Sequence, residues 1–197
     1  MKLEHITNSG PYNFYSAIEG ELLSCTSFSF AVSFISKEGT ELIEKTLLKN
    51  KNLTNGQLLI SAFNYFNEVS VLQKLQQLSK RYSSKLQIHI SLNKTFHWKY
   101  YKLSKAATEL LFVGSANFTT GGLSENGEIM VRMASKKTSS KSEFDSLNKS
   151  FIKEWDFSKP IMEFPLEHYP QKVRAATLPT PKKLLIFSEL LIKKLKL

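Results

Sequence analysis

At 197 residues, 42% of them hydrophobic and 22% charged, the chain can bury the core of one domain and has the balance of a water-soluble globular protein. Twenty-seven basic residues against seventeen acidic ones leave a net charge of +10, which favours polyanionic partners such as nucleic acid or an anionic membrane surface. The lone cysteine, Cys25, excludes an internal disulfide and a cysteine zinc cluster; with no apolar run of about eighteen residues and no signal pattern, a cytoplasmic protein with no membrane partner is expected.

Residues 1–11 read as a leader, with at most a short strand, and Tyr12 to Leu23 has helical spacing through Phe14, Ala17, Ile18 and Leu22. Cys25 to Ile35 alternates small polar and apolar residues, then becomes almost wholly apolar, as a strand entering the middle of a sheet does. Ser36 is placed to cap a helix over Lys37 to Asn50, followed by a strand from Gln57 to Phe63 and a helix from Asn67 to Tyr82. Leu86, Ile88 and Ile90 alternate with Gln87, His89 and Ser91 in a further strand. Strands separated by helix-length crossovers imply parallel pairing and an α/β sheet. The rhythm then changes, since Phe96 to Leu103, Glu109 to Gly114 and Glu128 to Ala134 leave no room for helices between them, and antiparallel or mixed pairing is expected there. Helical spacing returns over Ser142 to Trp155.

Five of the six prolines fall between Pro160 and Pro181, so the expected division is a domain over residues 1–160 and a Pro-containing basic arm over 161–197 ending in an amphipathic helix from Lys182. From Lys172 onward seven basic residues face one acid, Glu189, so this segment carries +6 of the net charge. It suits a solvated helix, a DNA-facing arm or a linker to another domain.

The chemistry concentrates in three short pieces. His97 and Lys99 lie two apart in an aromatic-rich strand candidate and would project from one face; Ser115 and Asn117 repeat that spacing after Gly114; and Glu128 follows Asn126-Gly127. Two-metal phosphodiester hydrolysis needs clustered carboxylates, and the acids of this chain are scattered. Phosphoryl transfer through histidine needs an imidazole aimed at phosphorus, cations and donors around the non-bridging oxygens, and a group that orients the ring. Those five side chains supply that set without a cofactor or metal ion. Trp98, Tyr100 and Tyr101 read as strand core in preference to base-stacking contacts, and His89 as a packing or surface residue. Gly121-Gly122 reads as a turn.

The order His97-x-Lys99, Gly114-Ser115-x-Asn117-Phe118-Thr119 and Asn126-Gly127-Glu128 resembles the phospholipase D superfamily, nearest to its nuclease branch and to the catalytic domains of metal-independent restriction endonucleases. The resemblance spans residues 96–131 and implies a phospholipase D-like α/β/α sandwich with a mixed, largely parallel central sheet. It departs at one place: the family's aspartate would fall five residues after Lys99, where this chain has Ser104.

What the resemblance implies is a phosphodiesterase that cuts DNA through a covalent phosphohistidine on His97. Lys99 and Asn117 would hold the phosphoryl oxygens, Ser115 would be a further donor, and Glu128 would fix the His97 tautomer. A second histidine is required, and of His5, His89 and His168 none is followed two residues later by lysine. The expected solution is a homodimer with one composite active site on the two-fold axis. No recognisable DNA-reading helix is present, so target choice is expected from an additional DNA-recognition domain or subunit. A non-catalytic DNA-binding or regulatory module of the same fold and a phospholipid phosphodiesterase are the alternatives.

Overall fold

In the computed structural model, residues 2–10, 12–61, 66–137, 142–166 and 169 are described. The elements run β1 (Lys2–Thr7), α1 (Phe14–Leu22), β2 (Ser27–Val32), α2 (Lys37–Lys49), β3 (Asn55–Ser61), α3 (Val69–Arg81), β4 (Leu86–Ser91), β5 (Lys99–Ser104), β6 (Thr108–Gly114), a π-helical turn (Gly121–Glu125), β7 (Ile129–Lys136), α4 (Ser142–Asp156) and β8 (Lys159–Pro160). Among the described residues the eight strands form one sheet in the order β1-β7-β6-β5-β2-β3-β4-β8.

The α/β/α sandwich is present and the sheet is mixed, but its balance differs from the expected largely parallel one. Two pairings are parallel, β2 with β3 and β3 with β4, and five are antiparallel. Connection length decides this, because α2 and α3 are the helical crossovers that join strands lying side by side, β2 to β3 and β3 to β4. Strands β5, β6 and β7 are joined without helices and fold back on one another.

Alternation within the strands makes two cores. On one face Phe28, Phe30 and Val32 of β2 pack with Tyr101, Leu103 and Phe112 beneath α1, α2 and α3. Ala31, Leu59, Tyr100 and Leu111 point the other way, against Phe144 and Phe151 of α4. Burying a large apolar side chain contributes about 2–3 kcal/mol. The rings of Phe30 and Tyr101 are both inaccessible and meet edge to face at 5.0 Å.

Helix α1 begins at Asn13, whose side chain accepts the Ser16 amide at 3.0 Å. Ser36 occupies the N-cap of α2, but its hydroxyl donates to Glu38 at 2.7 Å and accepts the Thr120 amide at 3.2 Å, linking this helix start to the loop after β6. Residues 2–7 form the short strand that the leader reading allowed for, β1, and it pairs along β7. The fold also continues past the proline at 160. Pro160 pairs with His89, and Ile161, Leu166 and Tyr169 are buried in the larger core. Phe63, His168 and the helix expected from Lys182 lie outside the described residues. Among the described residues, no helix is long and apolar enough to cross a membrane.

Candidate active site

Strand direction gathers the chemistry at one end of the sheet. Strands β2, β3 and β6 finish there, and the antiparallel strands β5 and β7 begin there, so Lys99 lies opposite Val32, and Gly114 opposite Met130. Lys99 opens β5, while His97 lies in the loop just before it rather than in the strand. The two side chains meet nonetheless. The Lys99 ammonium lies 2.8 Å from Nδ1 and 2.9 Å from Nε2 of His97, astride the ring, and donates to the His97 carbonyl at 3.2 Å.

Both groups carry altered proton affinities. Desolvation and, secondly, the nearby Lys99 charge lower the His97 pKa. Desolvation also lowers that of Lys99, opposed by the Glu128 carboxylate. The result favours the neutral imidazole that a nitrogen nucleophile requires.

The loop after β6 brings Ser115 and Asn117 to the same end. Ser115 donates its hydroxyl proton to Glu128 and accepts the Ile129 amide at 3.0 Å, so its observed task is to hold the Glu128 carboxylate at the start of β7. The Asn117 Oδ1 accepts the Phe34 amide at 3.3 Å, which turns its NH₂ group toward other partners. Between these two residues the Ala116 carbonyl accepts the hydroxyl of buried Tyr101 at 2.8 Å. Burial pushes the Tyr101 phenol well above its usual pKa and keeps it a donor. Gly122 closes the arrangement from behind: a Cβ there would lie 2.2 Å from the Asn117 carbonyl oxygen, a backbone atom with no room to yield.

Sequence reasoning therefore selected five residues that one end of the sheet gathers, with His97 beside Lys99 and Ser115 bonded to Glu128. It passed over Phe34, whose ring meets His97 edge to face at 6.0 Å, and Asn67, read only as a helix start. Asn67 is buried and triply bonded: Oδ1 accepts the Ile35 amide at 2.8 Å, and Nδ2 donates to the carbonyls of Ser61 at 2.9 Å and Ser33 at 3.2 Å. It clamps the ends of β2 and β3, and an asparagine before an apolar helical run was the sole signal in the sequence.

Ser104 ends β5, five residues along the strand from Lys99 and so about 16 Å away, where its carbonyl accepts the Thr26 amide at 2.7 Å. The position where the family has an aspartate thus lies at the other end of β5 from Lys99. Trp98, Tyr100 and Tyr101 belong to the cores. His89 stacks on Trp155 at 3.9 Å and bonds Ser158 at 2.7 Å, in a packing role away from the His97 group. Among the described residues, no group of three or more histidine, cysteine, aspartate or glutamate side chains could hold a metal ion.

Fold and site together define a phospholipase D-like protein. The family profile described as cardiolipin synthase, PLD-like domain matches residues 29–155, most of the chain and all five site residues, and the chain belongs to the phospholipase D superfamily. Among solved structures it is similar to Nuc, a phospholipase D family member from Salmonella typhimurium, with 13% identity over 81% of this chain and 97% of that one and a TM-score of 0.60. NucT from Helicobacter pylori is similar too, at 15% identity over 81% and 98% of the two chains, with a TM-score of 0.56. At these identities the likeness is one of fold. No curated protein sequence matches the chain.

Proposed function

We propose that the chain is a metal-independent phosphodiesterase that cleaves DNA through a phosphohistidine on His97 and acts as a homodimer. The observation that carries this reading is the His97–Lys99 contact at 2.8 Å, in which a lowered imidazole pKa meets a cation suited to phosphoryl oxygens. In the first step a neutral His97 nitrogen attacks phosphorus, the N–P bond forms, and the P–O bond to the leaving nucleotide breaks. Lys99 and the Asn117 amide stabilise the charge that builds on the non-bridging oxygens. A second histidine, protonated, gives its proton to the leaving oxygen. It then takes a proton from the water that displaces His97, restoring both rings.

Among the described residues His97 is the one histidine in this arrangement, and the second is supplied by another copy through two-fold symmetry. Ile129, next to Glu128 at the mouth of the site, is 61% exposed and suits burial against that copy. A dimer of this kind holds one site, and cutting both strands of a duplex takes two successive events. Within this reading the chain serves as the catalytic domain of a restriction endonuclease, with target choice supplied by another domain or subunit. The border between that domain and the basic arm then lies beyond Tyr169, whose side chain is in the core.

The test is DNA cleavage in excess chelator. Wild type is expected to cut and His97→Ala to lose all measurable cutting. A wild-type protein that cleaves no DNA under those conditions defeats the reading, and chelator-sensitive cleavage defeats metal independence. Cut ends mapped on a plasmid are expected to show no defined sequence when this chain acts alone.

A further inference from the structure

Beside the His97 group lies a cleft of about 400 Å³ walled by Phe34, Phe66, Glu68, Asn117, Thr119 and Thr120. We propose that this cleft seats an unstacked nucleobase of the nucleotide adjoining the scissile phosphate, so that the enzyme prefers single-stranded or unpaired DNA; the proposal rests on the phosphodiesterase reading above.

Position is the first argument. Asn117 belongs to both the cleft and the phosphoryl site, and the Phe34 ring that begins the cleft touches His97 edge to face at 6.0 Å. A phosphate held at His97 therefore has its neighbouring nucleoside at the cleft mouth. The walls supply the second argument. Phe66 packs edge to face on Phe34 at 5.3 Å and yet remains 45% exposed, leaving aromatic surface open to a flat ligand. Thr119 and Thr120 also line the cleft, and their hydroxyls suit the hydrogen-bonding edge of a base. Charge supplies the third. In a chain of net charge +10 the cleft carries a carboxylate, Glu68, at an exposed position, which disfavours a second phosphate there but accepts from exocyclic amino groups.

Size and rigidity agree. The volume is at the small end of ligand pockets and is enough for a base. Asn67 fixes the backbone on both sides of Phe34 by bonding Ser33 and Ile35, and it ties the end of β3 to them through Ser61. A base inside a duplex cannot enter such a cleft without leaving its stack.

The experiment compares a dinucleotide, which has a single phosphodiester, with analogues in which one or the other base is replaced by an abasic ring. For wild type, kcat/KM is expected to fall roughly 5- to 150-fold when the seated base is missing, as for loss of one base–aromatic stack. In Phe66→Ala that ratio is expected to fall close to one, and in Phe66→Trp to be retained. Equal ratios in wild type and Phe66→Ala overturn the proposal, and so does Phe66→Ala slowing hydrolysis of a short-chain phosphatidylcholine while leaving base discrimination intact. Should wild type cleave neither the dinucleotide nor bis(4-nitrophenyl) phosphate, the proposed function fails while the cleft is still tested. Anisotropy titrations with a labelled single-stranded oligonucleotide and its abasic counterpart then decide, equal affinities overturning the cleft and a preference lost in Phe66→Ala supporting it.

Discussion

His97 and Lys99 act on each other before any substrate arrives. Desolvation and, secondly, the lysine charge disfavour imidazolium, so the ring is expected to titrate below the ordinary histidine value of about 6.5. Replacing Lys99 by methionine removes the charge but not the desolvation. The His97 pKa is then expected to rise toward the ordinary value, read directly from its ring resonances in an NMR titration. Cleavage by Lys99→Met is expected to fall about a hundredfold or more, because in the proposed mechanism the same cation serves the phosphoryl oxygens. A His97 titration unmoved by Lys99→Met is the result that would contradict this coupling. His97, Lys99, Ser115, Asn117 and Glu128 were legible because they occur in one order with short spacings. The Ser115–Glu128 bond was not, since it joins the end of β6 to the start of β7.

At the scale of elements, two buried polar groups hold the frame. Asn67 joins β2 to β3 at the site end, and Asn67→Ala leaves three backbone groups without that partner. A loss of about 3 kcal/mol is expected, measured by urea unfolding, with Asn67→Asp recovering little because only its acceptor bond survives. His89 holds β4 against α4 and the chain after it through Trp155 and Ser158. Desolvation lowers its pKa, with the Glu163 charge and the Trp155 backbone opposing more weakly. The unfolded chain therefore binds the proton more readily. The His89 contribution to stability is complete above about pH 6.5 and is lost as pH falls through the folded value. His97 shares this sign, so comparing wild type with His89→Gln isolates one residue: melting temperatures of the two are expected to converge as pH drops from 7 to 5. Helices α2 and α3 were readable from apolar spacing, as was the parallel β2-β3-β4 unit they connect. The place of strand β1 was not, because its pairing of Lys2 with Ala134 depends on residues far away in sequence.

For the whole molecule, the proposed composite site would make activity a property of pairs of chains. Sedimentation is expected to give twice the 22.5 kDa chain mass. Titrating wild type with excess His97→Ala, allowing exchange, is expected to suppress cleavage, because each mixed dimer has only one of the two histidines. Undiminished wild-type activity in that mixture would show that each chain works alone. The +10 charge adds affinity for any phosphate backbone and makes binding fall with salt, but it conveys no sequence preference.

By itself the sequence determined the family, the three-piece site motif and the two structural rhythms, helix-linked strands followed by strands in close succession. All of these rest on local order and periodicity. Only the tertiary structure decided that antiparallel pairings outnumber parallel ones, that residues 2–7 close one edge of the sheet, and that Phe34 meets His97 while packing on Phe66 between two backbone groups bonded by Asn67. Those facts depend on which strand ends fall side by side. Such neighbours come from separate segments of chain, and no local spacing records them.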